Sequence, residues 1–397
     1  MDFSYSPKTQ ALRESLLAFM DAHIYPQEAA VHEELEANTA AGRRWTPLQT
    51  LERLKPLARA QGLWNLFLPD SELGAGLSNQ EYAPLAEIMG RVPWSSEVFN
   101  CSAPDTGNME VFHRYGTKAQ KQKWLKPLMN GEIRSAFLMT EPQVASSDAT
   151  NVECSIRREG DEYVINGTKT WISNALNGSC FALLVKTDPD ANPRYKGMSL
   201  FIADKREGFT TGKKFDKLGY KSIDSAELIF EDYRIPADQL IGGVEGQGFF
   251  QATGGLELGR INVAARGVGL SEGSLRLATE YAQQRQTMGK PISEHQAIQL
   301  KIGEMVTRAR AARLLTLDAA IAYDKGERCD LEAGMAKYFA SEAAVANSQE
   351  AMRIYGGYSY SKEYDIERFY RDSMLMCIGE GTNEMQRMII SKQWVKR

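Results

Sequence analysis

The spacing of hydrophobic residues changes twice along the chain. In the first third, apolar residues recur at nearly every 3.6 positions, as Leu12, Leu16 and Phe19 do, which predicts amphipathic helices. The middle of the chain carries short apolar runs of strand length, and the helical period returns after a glycine-rich link at 242–248. The pattern predicts a mainly α protein with a central β domain, divided into an N-terminal helical domain at 1–135, a middle β domain at 136–241 and a C-terminal helical domain at 242–397.

The middle domain is predicted to be antiparallel. Its strand-like segments are Glu162–Ile165, Thr168–Ile172, Phe181–Lys186, Met198–Ala203 and Ala226–Phe230. The dipeptides Asn166-Gly167 and Asn177-Gly178 are typical of hairpin turns. No helical segment separates the strands, as a parallel sheet would require. We therefore expect an antiparallel β-sandwich or barrel of roughly one hundred residues.

Four helices are predicted in the C-terminal domain. Their approximate spans are 249–286, 295–325, 331–355 and 383–396. Glycine and proline residues separate them, at Gly289-Lys290-Pro291, Gly326 and Gly356-Gly357.

Composition and charge exclude several classes of protein. The 397 residues carry 47 Lys and Arg against 51 Asp and Glu, so the net charge of −4 gives no positive excess for coating nucleic acid. The five cysteines are an odd number with no CxxC pair, which favours a reducing compartment. The apolar runs, such as Leu16–Met20 and Cys180–Val185, are too short to span a bilayer. The simplest interpretation is a cytoplasmic protein with no nucleic-acid partner and no membrane span.

Two common motifs are missing from the sequence. There is no GxGxxG for a Rossmann dinucleotide fold and no HExxH for a zinc site. The four histidines are scattered, so no metal site is predicted.

Periodicity, composition and the common motifs leave several local stretches unexplained. They are Leu138–Pro142 with Ala145–Asp148, Trp171–Asn174, Arg285–Lys290 with His295-Gln296, Tyr355–Gly357, and Gly379–Asn383. Most are individually explained as turns, core residues, helix-terminal charges or N-caps. Glu380 is the exception, because a glycine on each side frees the backbone and lets a ligand approach the carboxylate.

Together these stretches resemble the acyl-CoA dehydrogenase family of flavoproteins over nearly the whole chain. The segments that carry the resemblance, in matching order and spacing, are Thr140-Glu141-Pro142, Trp171–Asn174, Arg285–Lys290 and Glu380-Gly381-Thr382. Cys101–Met109 and Ala145–Asp148 further resemble a subgroup that includes enzymes acting on long or branched acyl chains. The resemblance implies an N-terminal helical domain, a middle antiparallel β-sandwich or barrel and a C-terminal four-helix bundle.

The resemblance also implies a reaction. An acyl-CoA thioester loses its α-proton to Glu380 while the β-hydrogen leaves as hydride to the flavin N5 of FAD, which gives a trans-2-enoyl-CoA. In the family, the backbone N–H of the glutamate and a flavin hydroxyl stabilise the enolate-like oxygen. Burial should raise the pKa of Glu380, and we expect burial to outweigh the opposing effect of the following helix N-terminus.

Site residues are carried over from the family by matching positions. The implied contacts to the isoalloxazine are Leu138, Thr140, Trp171 and Ser173, with Thr382 and Glu384 completing the flavin surroundings. The implied contacts to the rest of FAD are Arg285 and Thr287 at the pyrophosphate of a neighbouring subunit and Gln296, Arg353, Gly356 and Gly357 at the adenosine. The implied substrate contacts are Ser146, Ser147, Gly379, Gly381 and Arg260.

The implied partners follow from the same resemblance. FAD shared between subunits requires at least a homodimer, and the family is commonly homotetrameric. Electrons would pass to an electron-transfer flavoprotein, and the pathway would be fatty-acid β-oxidation in lipid metabolism.

Three positions depart from the family pattern. Gly379 stands where tyrosine often narrows the acyl cavity, which predicts a wider pocket for bulky or branched acyl groups. Arg353 stands at a frequent glutamine position near the adenosine. Some relatives take their base from an earlier helix, but the matching residue is Gly259, which leaves Glu380 as the base.

Two alternatives to a dehydrogenase remain open. One is an acyl-CoA oxidase that passes its electrons to oxygen. The other is a non-catalytic flavin-binding relative, which should show a basic surface excess or lack the base. The charge of −4 and the presence of Glu380 disfavour the second.

Overall fold

The computed structural model describes residues 3–395. Eight helices precede the sheet: α1 (Pro7–Phe19), α2 (Glu28–Ala40), α3 (Gln49–Ala60), α4 (Asn79–Gly90), α5 (Ser95–Val98), α6 (Asp105–Tyr115), α7 (Lys118–Gln120) and α8 (Lys126–Asn130). Helix α4 begins with a capping box, in which Ser78 and Glu81 each bind the other's backbone N–H. The helices pack on a shared apolar core that includes Leu16, Phe19 and Leu85.

The middle domain contains one seven-stranded sheet. Its strands are β1 (Arg134–Leu138), β2 (Ser155–Glu159), β3 (Glu162–Ser173), β4 (Gly178–Lys186), β5 (Met198–Ala203), β6 (Phe209–Lys214) and β7 (Ser225–Pro236). The strand order is β1-β4-β2-β3-β7-β6, and β5 pairs with β4 outside this path. The predicted boundary at 135 lies within β1 and the boundary at 241 lies beyond β7; both stay predictions.

The sheet differs from the predicted one in two respects. β1 pairs with β4 in parallel, because the chain between them supplies the crossover that a parallel pair needs. Asn166-Gly167 forms no hairpin turn and lies inside β3, where the register with β7 shifts. Gly167 is needed at this bulge because a Cβ there would lie 2.8 Å from Cys154 Sγ. The turn before Gly178 joins β3 to β4, which are not neighbours in the sheet.

The C-terminal region returns to helices. They are α9 (Gly248–Thr253), α10 (Leu256–Gln284), α11 (Gln296–Asp324), α12 (Asp330–Tyr355), α13 (Ile366–Ile378) and α14 (Asn383–Val395), with a small hairpin of β8 (Gln286–Thr287) and β9 (Lys290–Pro291) after α10. Helices α10 to α13 pack against one another, and α14 packs on α12. The predicted fold class is confirmed. Helix α13 was not predicted, and residue 396 of the last predicted helix lies outside the described residues.

A close contact joins the sheet to the helix that leads into the candidate site. The backbone N–H of Tyr220 donates to Asp372 Oδ1 of α13 at 2.7 Å. Gly219 allows this approach, since a Cβ on it would lie 2.6 Å from the same oxygen. Within residues 3–395, none of the helices has the length and apolar character needed to cross a membrane.

Candidate active site

Glu380 lies in a four-residue turn, 379–382, between two helices. Gly379 ends α13 by donating its N–H to Leu375 O at 2.9 Å, and α14 begins at Asn383. The φ of Glu380 is +56° and that of Gly381 is +82°. A left-handed conformation costs a glutamate roughly 1–3 kcal/mol, so the surrounding contacts must impose it.

Lys337 of α12 supplies those contacts. Its buried Nζ donates to Gly381 O at 2.9 Å, to Asn383 Oδ1 at 2.9 Å and to Cys377 O at 3.2 Å. These acceptors lie on both sides of Glu380, so one ammonium group uses its three donors to close the turn. Burial lowers the pKa of Lys337 to about 8. Lys337 could not be identified from the sequence, because a lysine within a helical pattern is expected to face solvent.

Gln386 holds the same turn from α14. Its Nε2 donates to Glu380 O and to Gly381 O, both at 3.1 Å. The amide of Gln386 therefore adds two hydrogen bonds to carbonyl oxygens of the turn. Thr382 is the N-cap, with Oγ1 accepting from Met385 N at 3.4 Å.

The carboxylate of Glu380 lies against the N-terminal part of α10. A Cβ placed on Gly259 would be 3.0 Å from Glu380 Oε2, so only glycine leaves room there. Burial raises the pKa of Glu380, while the positive charges of Arg260, Arg266 and Lys337 oppose the rise. This direction is the one predicted from the sequence. The residue as a whole stays exposed, although its carboxylate is closely surrounded by protein.

Arg260 lies beside this carboxylate, as predicted. It is buried, its Nη1 is 3.7 Å from Asp330 Oδ1, and its Nε has no hydrogen-bond partner within the described chain. Burial lowers its pKa. Gly379, Gly381, Arg260 and Glu380 are therefore brought together in one site.

The predicted isoalloxazine contacts lie at neighbouring ends of β1 and β3. Leu138 is buried, and Thr140 O accepts from Thr170 N at 2.9 Å. Trp171 has a φ of +58° and is 60% exposed, with its ring stacked on Phe215 at 4.1 Å between centroids. Ser173 is partly buried at the end of β3. Backbone strain of this kind clusters at ligand-binding sites, so the exposed indole of Trp171 is a candidate ligand contact.

A buried ion pair underlies this surface. Lys169 Nζ lies 2.7 Å from Glu141 Oε1 and donates to Met139 O at 3.1 Å. Glu141 also accepts from the backbone N–H of Glu153 at 2.6 Å and of Cys154 at 3.0 Å. The pair fixes the backbone on either side of Thr140. Both charged residues stand inside or next to the motif segments, which is the signal that could have identified them.

The predicted contacts to the pyrophosphate and the adenosine lie at one end of the helical bundle. Arg285 is exposed at the end of α10, with its guanidinium 5.8 Å from the ring centre of Tyr358. The ring of His295, the residue before Gln296, is 3.3 Å from Thr287 O. Gly356 and Gly357 are exposed, and a Cβ on either would meet nothing within 4 Å.

Four predicted contacts lie on open surface. Arg353 is exposed and pairs with Glu350 at 2.8 Å. Glu384 is exposed, and hydrogen bonds lower its pKa; it pairs with Arg387 at 2.8 Å. Ser146 and Ser147 begin an exposed 3-10 segment, Ser146–Asn151.

The residues present fit FAD. Trp171 offers a flat aromatic surface, Arg285 offers a cation that suits a pyrophosphate, and the bare backbone at Gly356-Gly357 offers close approach. No group of three or more His, Cys, Asp or Glu residues suited to a metal occurs between residues 3 and 395.

Comparisons with known proteins agree with this geometry. Models of the acyl-CoA dehydrogenase N-terminal, middle and C-terminal domains match residues 6–132, 136–233 and 246–395. A probable acyl-CoA dehydrogenase of Arabidopsis thaliana is 38% identical over 98% of the chain and 50% of its own length. A 3-(aryl)acrylate reductase of Clostridium sporogenes is 38% identical over 87% of the chain and 90% of its own length. The butyryl-CoA dehydrogenase structure of Megasphaera elsdenii superposes with a TM-score of 0.87 at 29% identity, covering 100% of both chains.

The chain spans about half the length of several curated relatives that it matches. The reductase and the solved structure are instead matched over nearly their whole length.

Proposed function

The chain belongs to the acyl-CoA dehydrogenase family of flavin-dependent oxidoreductases, and from that premise we propose that it converts an acyl-CoA thioester to a trans-2-enoyl-CoA. One observation carries the proposal: Glu380 is held in a left-handed turn with its carboxylate against Gly259 and its pKa raised by burial. A carboxyl group with a raised pKa is matched to taking a proton from carbon near neutral pH.

Each of the site residues has a role in the proposed reaction. Glu380 removes the α-proton, and Lys337 and Gln386 hold its turn. Leu138, Thr140, Trp171 and Ser173 form the surface for the isoalloxazine, and Arg285 with Thr287 holds the pyrophosphate. FAD, when bound, supplies the acceptor for the β-hydride. Gly379 leaves space beside the acyl chain, which supports medium, long or branched substrates.

The remaining assignments rest on the family. We propose an electron-transfer flavoprotein as electron acceptor, a homotetramer or at least a homodimer, and a cytoplasmic role in the β-oxidation of fatty acids. Arg285 and Thr287 lie on different elements from Leu138, Thr140, Trp171 and Ser173. This arrangement supports an assembly in which two subunits share each cofactor.

Anaerobic titration tests the reaction class. The FAD-loaded protein is mixed with a panel of straight, branched and aryl acyl-CoA thioesters while the visible flavin absorbance is followed. We expect bleaching with at least one of them and none with Glu380→Gln. The matched control is Glu207→Gln, which changes an exposed glutamate in the sheet region. Bleaching at an undiminished rate in the Glu380 variant would refute the assignment of the base.

The reductase from Clostridium sporogenes favours a second candidate, in which the net reaction runs toward a saturated product. That reaction would reduce a conjugated double bond with electrons supplied by a reduced partner. The FAD-loaded protein is photoreduced anaerobically and mixed with cinnamoyl-CoA. Rapid return of the flavin absorbance, without any bleaching by the saturated thioesters, would favour the reductase over the dehydrogenase.

A further inference from the structure

A second carboxylate, that of Glu110, lies close to Glu380 without an assigned role. Glu110 belongs to α6 and is only 8% exposed. It makes no hydrogen bond and no ion pair within residues 3–395. The nearest opposite charge to affect it is Arg114, whose Nη2 donates to Tyr323 Oη at 2.8 Å. The carboxylate oxygens of Glu110 keep some exposure, so a donor from outside the protein can reach them.

The two carboxylates lie along the same face of α10. A Cβ on Gly255 would be 4.0 Å from Glu110 Oε2, and a Cβ on Gly259 would be 3.0 Å from Glu380 Oε2. Gly259 N donates to Gly255 O at 2.8 Å, so the two glycines are one helical turn apart. A turn rises roughly 5–6 Å, which sets the approximate offset between the carboxylates along the helix.

A third glycine, Gly379, comes directly before Glu380 in the chain. A Cβ on Gly379 would meet only Leu375 O, at 3.4 Å. Glycines therefore lie next to both carboxylates, and we call Gly255, Gly259 and Gly379 the glycine strip.

We propose that Glu110 is a specificity-determining residue that accepts a hydrogen bond from a hydroxyl or amino group on the acyl chain, placed a few carbons beyond the bond that is oxidised. The inference rests on the proposed function, because it takes Glu380 as the base at the α-carbon. The glycine strip gives the chain its path, and the offset of one helical turn corresponds to about four bonds beyond the α-carbon. The pKa of Glu110, raised by burial to about 7, supports the absence of a donor from the protein itself.

Paired substrates test the inference. The probes are hexanoyl-CoA, 5-hydroxyhexanoyl-CoA and 5-aminohexanoyl-CoA, and the measurement is kcat/KM for each with wild type, Glu110→Gln and the control Glu207→Gln. We expect wild type to prefer the hydroxyl or the amino substrate over hexanoyl-CoA by about tenfold or more, as a hydrogen bond to a charged group would give. The preference should fall in Glu110→Gln and remain in the control.

The outcomes separate this inference from the proposed function. Equal kcat/KM for all three probes in wild type, or a preference that Glu110→Gln leaves intact, overturns the role of Glu110 while the dehydrogenase stands. No turnover of any acyl-CoA overturns both. Because each variant is its own reference, a loss of folded protein changes all three rates together.

Discussion

At the scale of single residues, backbone strain marks the motif segments. Apart from glycine and asparagine, few residues have positive φ, and Trp171, Met288 and Glu380 are among them. Each lies in a segment that resembles the family. None of these side chains favours the left-handed region, so the fold holds them there at a cost of roughly 1–3 kcal/mol each. The sequence predicted these segments by their residue types, but it could not predict the strained conformation, which long-range contacts impose.

Replacing Lys337 with methionine should move the pH dependence of turnover. The ammonium lowers the pKa of Glu380, so its removal raises that pKa further. The base must be deprotonated to act, so the acid limb of the kcat profile should shift to higher pH, with about tenfold lower kcat at neutral pH. The exposed Lys362→Met is the control. An unshifted acid limb would show that Lys337 only supports the fold.

Replacing Glu110 with glutamine should stabilise the protein at alkaline pH. The pKa of Glu110 is about 7 in the folded state and about 4.5 unfolded, so stability from the protonated form is present below 4.5 and lost as pH rises through 7. Glutamine cannot ionise, so its free energy of unfolding should exceed that of wild type by up to about 3 kcal/mol at pH 8. At pH 4.5 the two should be similar. Denaturant unfolding at both values measures this, and an equal difference at both would contradict the assignment.

At the scale of elements, the sequence located most helices and strands from their periodicity. The runs Phe181–Lys186 and Met198–Ala203 are strands because their apolar residues fill both faces of a buried sheet. The prediction of a turn at Asn166-Gly167 was wrong because the same glycine that suits a turn also suits a bulge. Helix α13 was not predicted, although its buried residues Ile366, Phe369 and Met376 recur at helical spacing. The turn that carries Glu380 depends on this helix.

Gly379→Tyr tests the open space at the end of α13. The φ of Gly379 is −67° and a Cβ there has room, so the variant should fold and keep its flavin. The ring would narrow the glycine strip, and we expect kcat/KM for branched or aryl thioesters to fall by about tenfold relative to straight ones. Gly379→Ala is the control, since it adds one methyl group. If the ratio of kcat/KM for branched or aryl thioesters to that for straight ones is unchanged, the argument for a wide pocket fails.

At the scale of the whole molecule, the predicted FAD contacts of one chain fall into separate groups. Trp171 and its neighbours lie at the sheet, whereas Arg285 and Gly356 lie at one end of the bundle. The sequence could list both groups through the resemblance. It could not reveal their arrangement, because that depends on how the helices and sheet pack, and on copies of the chain that one sequence does not describe.

Arg285→Gln should weaken FAD binding while the fold stays intact. The guanidinium is exposed and makes no ion pair in the described chain, so its loss costs little stability. Loss of a cation at a pyrophosphate should lower FAD affinity by about tenfold or more. Equilibrium dialysis and light scattering measure affinity and subunit number together, with exposed Arg43→Gln as control. An unchanged FAD affinity would mean that Arg285 does not bind the pyrophosphate.

The contact between Tyr220 and Asp372 has a consequence for protein engineering. Because Gly219 and Tyr220 meet α13 at such short range, the segment from 215 to 224 and the helix Ile366–Ile378 have to be exchanged as a unit. A chimera that imports only a foreign sheet region would break this joint and displace the turn behind it.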